Sequence, residues 1–188
     1  MSRQIQTGAN LQSLINTLAS RDGMARQRAR KLLVAMGKLA TPSLIRALRN
    51  SKVVQVRWEA AKALGAIGDV KAIPSLVKAL EDRDDVAWLA AEALENLKKA
   101  AWPALFRQLI RRGAHSALLR QGAHHVLRNQ REEGFNDLLA ILVKALEVET
   151  VPVMTIMAAH DILERVNTRA ENDDSRKFGV SKPPKRKR

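Results

Sequence analysis

Apolar residues recur at intervals of three and four along most of the chain, the spacing that gathers them on one face of a helix. Val56, Ala60, Ala63, Leu64 and Ile67 form one such face. Leu11, Leu14, Ile15 and Leu18, behind Asn10, predict a capping helix over 10–19, and Val151–Val166 predict another near the far end. The pattern also repeats. Ala25–Gly37, Val56–Gly68 and Val86–Lys98 align at offsets of 31 and 30 residues, and each is followed by a proline-started apolar segment at Pro42, Pro74 or Pro103. A weaker fourth copy runs from Leu119 to Leu146, with Gly122, His124 and His125 at Ala-rich positions and no proline opening its second half.

Each copy predicts two helices. Ala60, Ala61 and Ala63 leave room for a neighbouring helix, and Gly65 and Gly68 fall where a left-handed residue commonly ends the first. The prolines fall in the first turn of the second, where the missing N–H costs least. The acidic Glu81–Asp85 stretch predicts the next turn. One pair cannot bury both its faces, so neighbours must stack into a short solenoid.

Val56-Arg-Trp-Glu-Ala-Ala-Lys-Ala-Leu-Gly-Ala-Ile-Gly-Asp69, followed by Ala72-Ile-Pro-Ser-Leu-Val-Lys-Ala-Leu-Glu-Asp82, resembles the HEAT-repeat family. Within it, the segment is most similar to the short HEAT-like repeats named for phycobilisome lyases. The resemblance spans residues 20–147 and implies an all-α fold, a short right-handed α-solenoid of about five helical hairpins. It implies a protein-binding scaffold more than an enzyme, because repeats fix architecture rather than chemistry. The expected organisation is a solenoid over 1–168 and a disordered basic tail over 169–188.

Composition narrows the chemistry. The 188 residues carry no Cys, which excludes disulfides, thiolate nucleophiles and Cys-ligated metals. Aromatics are 3% of the chain, which favours helices over a β-sandwich or barrel. No apolar run reaches the length of about 18 residues that a spanning helix needs, and no signal-peptide core opens the chain, so a soluble cytoplasmic protein is expected. Lys and Arg total 33 against 19 Asp and Glu. Residues 1–55 hold ten basic residues and one acidic, residues 56–174 hold 16 and 18, and residues 175–188 hold seven and none. The basic end reads either as a solubilising extension or as a polyanion-binding tail, and in a eukaryotic chain it would resemble a nuclear-import signal.

No catalytic constellation emerges. Ser75-Leu-Val-Lys78 matches Ser-x-x-Lys of serine acylases without its partner motifs, and its sister repeat reads Ser43-Leu-Ile-Arg46. His115, His124, His125 and His160 lack the His-Glu pairs by which a related repeat enzyme, deoxyhypusine hydroxylase, holds iron, so no metal and no cofactor is expected. Trp58 and Trp88 occupy equivalent positions and suit packing between repeats, with base stacking as the alternative.

The remaining regularity is a base four residues after each helix-starting proline: Arg46, Lys78 and Arg107, with Lys144 in the matching frame of the fourth copy. In solenoids of the family it resembles, second helices line the concave side, so these four would form a cationic ladder widened by Arg49, Arg111 and Arg112. Arg26, Arg28, Arg30 and Lys31 add charge to the first repeat. Such positions also carry Lys or Arg merely for solubility. As a site, the ladder would engage an acidic protein partner. Nucleic acid bound through the basic first repeats and the tail is the alternative, and lyase-like work on a tetrapyrrole rests on kinship alone. The oligomeric state is open.

Overall fold

The structure is a computed structural model, and it describes residues 2–147 and 152–177. The chain beyond Lys177, which holds most of the basic cluster expected to be a disordered tail, lies outside the described residues.

Helices α1 (Ser2–Thr17), α2 (Gly23–Ala35), α3 (Thr41–Asn50), α4 (Val54–Ile67) and α5 (Ile73–Ala79) are followed by α6 (Asp84–Leu97) and α7 (Trp102–Arg112). Then come α8 (Ala117–Leu127), α9 (Asn136–Glu147) and α10 (Pro152–Lys177), and no strand occurs among the described residues. The fold is an all-α, HEAT-like solenoid. Two differences from expectation stand out at its ends. The first helix starts at Ser2 rather than near residue 10, and the last runs helical to Lys177, past residue 168.

The punctuation of the repeats explains the hairpins. Pro42, Pro74 and Pro103 occupy the first turns of α3, α5 and α7. Before each of these helices comes a 3-10 turn, at Gly37–Leu39, Val70–Ala72 and Lys98–Ala101. Gly68 ends α4 at φ 67°, and Gly37 adopts φ 59° at the equivalent place. The third copy puts Lys98 there, at φ 51°, the one non-glycine residue with positive φ among those described. Gly65 does not end a helix. It lies within α4 opposite α6, where an added Cβ would sit 3.0 Å from the Ala93 Cβ.

First helices stack on first helices: α2 on α4, α4 on α6, α6 on α8. Ala60, Ala61 and Ala63 of α4 and Ala90, Ala91 and Ala93 of α6 are all buried, so these helices approach closely, as small residues permit. The other layer runs α1, α3, α5, α7, and its next member is α10, which packs on both α7 and α9. α9 packs on α8 and α10. The fourth hairpin therefore departs from the pattern. Phe135, just ahead of α9, is buried with its ring edge-on to Trp102 at 5.5 Å, and Arg169 of α10 lies 4.7 Å over that ring. Trp102, Phe106 and Phe135 make an aromatic knot at this junction. Elsewhere the core is aliphatic, built of Leu33, Leu44, Leu64, Leu76, Leu80, Leu94, Leu105 and Leu109.

Candidate binding surface

The first-helix arginines have structural work. Arg26 and Arg57 occupy the same repeat position, and each donates to a carbonyl six residues upstream, Ser20 at 2.8 Å and Ser51 at 2.9 Å. Arg120 in the fourth copy donates to a carbonyl seven residues upstream, that of Gly113, at 2.7 Å. Each therefore anchors the loop leading into its own helix. Arg57 also grips Asp82 with two bonds, 2.6 Å from Nε and 2.7 Å from a terminal nitrogen. Glu59, 3% exposed, is held between Arg30 at 2.5 Å and Arg26 at 3.4 Å. Of the basic cluster in the first repeat, only Arg28 and Lys31 are left fully on the surface.

The second helices carry the open cations. A cavity of about 850 Å³ lies across α3, α5 and α7, and its basic lining is Arg49, Arg57, Lys78, Arg111 and Arg112. Leu48, Pro74, Val77 and Leu118 give it apolar wall, Ser75 and Gln108 polar wall, and no aromatic residue lines it. Two of the five cations are neutralised at the rim. Arg57 is paired with Asp82, and Arg112 lies 3.1 Å from Glu81, which Gln108 also approaches at 3.5 Å. Arg49, Lys78 and Arg111 are exposed, and their side chains form no hydrogen bond or ion pair among the described residues. The cavity thus holds three uncompensated positive charges.

Burial pushes the Asp82 carboxyl up, but the Arg57 guanidinium and the Arg83 backbone N–H outweigh it and hold it below the ordinary carboxylate range. Arg57 is raised in turn, first by the same hydrogen bond. Asp82 is therefore a committed anion, and the Arg57 charge is absorbed locally.

Arg46, Lys78 and Arg107, four positions after their prolines, and Lys144 in the matching frame do not share one trough. Lys78 lines the central cavity. Arg46 lines a neighbouring one of about 510 Å³ between α1 and α3, with Asn16, Ser43 and Asn50. Ser51 borders both. Lys144 lines a third, of about 420 Å³, beside Arg128, Arg131 and Glu147. Arg107 is exposed and turns its Nε back to the Pro103 carbonyl of its own helix at 2.7 Å. The physical reason for the break is α10, which takes the place beside α7 that a fourth rung would need. Arg49, Arg111 and Arg112, read from sequence only as supporting residues, are the ones brought together with Lys78.

The histidines are dispersed. His124 lies 3.3 Å from Glu147, and His115 and His160 are exposed. His125 packs its ring 4.1 Å from Trp88, with Glu95 at 3.9 Å, and burial lowers its pKa. No group of three or more His, Asp and Glu suited to a metal occurs among the described residues. Trp88 thus meets the next repeat, while Trp58 is flanked by Lys62 at 4.7 Å and Arg30 at 5.8 Å. Both lie on first helices, away from the central cavity.

Helical hairpins stacked on their neighbours define a HEAT-like solenoid. The family model for HEAT repeats matches residues 11–95, which supports a HEAT-repeat family for this chain without singling out the phycobilisome-lyase type. HEAT repeats are commonly protein-interaction scaffolds and typically non-enzymatic. No curated protein matches the chain. No helix among the described residues is long and apolar enough to cross a membrane.

Proposed function

We propose that this protein is a non-enzymatic scaffold that binds an acidic segment of a partner protein across its second helices. Lys78, Arg49 and Arg111 are the primary contacts, with Arg46 at the adjoining edge. One observation carries the reading: three cations from three successive second helices open into one cavity without a carboxylate to neutralise them. The mixed wall of Leu48, Val77 and Leu118 suits side chains of a protein segment. Single-stranded nucleic acid would want aromatic platforms for its bases, and this cavity has none.

The test is affinity capture from native lysate, with and without nuclease, using the wild-type chain and the triple variant Arg49→Glu, Lys78→Glu, Arg111→Glu. Proteins retained after nuclease by the wild type should be lost by the variant, with helical circular dichroism unchanged. The same proteins on both baits, or complete release by nuclease, would reject the assignment.

A further inference from the structure

We infer that copies of this chain associate head to tail, with α10 of one copy seated on the open face of α2 of the next. The interface uses none of the central-cavity cations, so it stands apart from the acidic-partner reading.

The repeat register identifies the face. An offset of 31 residues aligns Met24, Arg28 and Leu32 of α2 with Gln55, Glu59 and Ala63 of α4. Those α4 positions look back at the preceding copy. Glu59 is buried and held by Arg26 and Arg30 of α2, and Ala63 is fully buried. The next copy repeats the contact, since Ala93 of α6 lies against Gly65 of α4. No first helix precedes α2 among the described residues, and Met24 and Leu32 are left 56% and 55% exposed. Repeat arrays normally close their ends with a polar outer face. This end keeps large apolar side chains at its stacking positions instead.

Charge decides what fits there. Where α4 presents Glu59 to two arginines, α2 presents Arg28, with Lys31 about one turn further on. Both are exposed and form no hydrogen bond or ion pair among the described residues. A helix that fills this face has to bring carboxylates together with apolar contact, and α10 offers both. Its Thr155, Ala158, Ala159 and Ile162 are buried, on a helix that packs on α7 and α9. Its other side exposes Val153, Met154, Met157, Asp161 and Glu164. Val153, Met157, Asp161 and Glu164 follow one another at helical spacing, so they form one stripe, apolar at its start and acidic beyond, with exposed His160 beside it. Asp161 and Glu164 have no partner for their carboxylates among the described residues. The two faces are different surfaces, carried by the helix that opens one layer and the last helix of the other. A contact between them leaves one of each free, so association continues past a pair unless a ring closes.

The experiment is light scattering coupled to size exclusion on the full chain, over a hundredfold range of concentration. Physiological ionic strength is used, where a Debye length of about 8 Å screens the general repulsion between basic copies but spares contact pairs. The mean mass should rise with concentration from the 20.9 kDa of one chain to more than twice that value. Two double variants, Arg28→Glu with Lys31→Glu and Asp161→Lys with Glu164→Lys, should each weaken association at least tenfold with helical circular dichroism unchanged. Mixing the two variants should restore it, because the intact α10 of the first meets the intact α2 of the second. The triple variant Arg49→Glu, Lys78→Glu, Arg111→Glu should associate like the wild type. A single chain at every concentration, a mass that stops at two chains, or association indifferent to both double variants would overturn the inference. Loss of association in the triple variant would also overturn it, and would place the acidic stripe of α10 in the central cavity.

Discussion

Replacing Asp82 by Asn should move stability and ligand affinity in opposite directions. Asp82 sits between α5 and α6 and receives two bonds from Arg57 of α4, with side chains 17% and 15% exposed. Exposed ion pairs contribute about 0–1 kcal/mol. Removing one partner of a fully buried pair costs about 3–5 kcal/mol. This bidentate, mostly enclosed pair falls between, and Asn still accepts from the Arg83 N–H, so a loss of about 2 kcal/mol is expected. Urea unfolding at neutral pH reads it directly. Because the folded carboxyl titrates below its unfolded value, its contribution is present above the unfolded pKa and fades as pH falls through the folded one. The variant should therefore be less stable at pH 7 and show a flatter acid limb. A loss under about 0.5 kcal/mol, well below the range for enclosed pairs, would refute the structural half of the argument.

The other half concerns the cavity. Asp82→Asn removes one rim anion, leaves Arg57 uncompensated, and raises the charge seen by a bound carboxylate by one unit. At about 7 Å in a watery setting that is worth about 0.6 kcal/mol, roughly a threefold gain in affinity for an acidic peptide. The gain should shrink at high salt, where the Debye length falls to about 3 Å. A variant that lost both stability and peptide affinity would show that the loop geometry, rather than the charge balance, sets binding.

Lys98→Gly should stabilise the chain by about 1 kcal/mol, raising Tm by about 2–4 °C in a thermal scan, because Gly37 and Gly68 fill the same repeat position with positive φ. Trp102→Ala should cost about 3–5 kcal/mol by urea unfolding, since it empties the fully buried knot with Phe106 and Phe135. Arg107→Ala and Lys144→Ala should each leave affinity for a labelled acidic peptide within twofold by fluorescence anisotropy, because neither residue lines the central cavity.

The repeat was legible because each of its parts has a local cause. Proline at the first turn, a left-handed residue at the preceding stop and alanines facing the neighbour each report on backbone or contact within one hairpin, and the structure places Pro42, Pro74, Pro103, Gly68 and Ala60–Ala63 accordingly. Gly65 misled because a glycine near a helix end also serves close approach, here to Ala93. The course of α10 was not legible. Its apolar face predicts a helix but does not say which neighbour buries it, and the aromatic contacts of Phe135 with Trp102 join residues more than thirty positions apart.

The same distinction explains why the evenly spaced bases do not line one cavity. A position in a repeat fixes the direction in which a side chain leaves its helix, but its charge reaches a ligand only if nothing nearer claims it. Arg57 is claimed by Asp82 at the end of its own copy, and Arg112 by Glu81 and Arg26 and Arg30 by Glu59, acids of the adjacent copy. These pairs recur at about one repeat length, 25 to 33 residues apart, so opposite charges at that separation were the readable signal. Subtracting them from the basic residues of the second-helix layer leaves Arg49, Lys78 and Arg111 in the cavity. A solenoid can thus carry a large positive surplus and still present only a short, defined set of unpaired cations in one cavity.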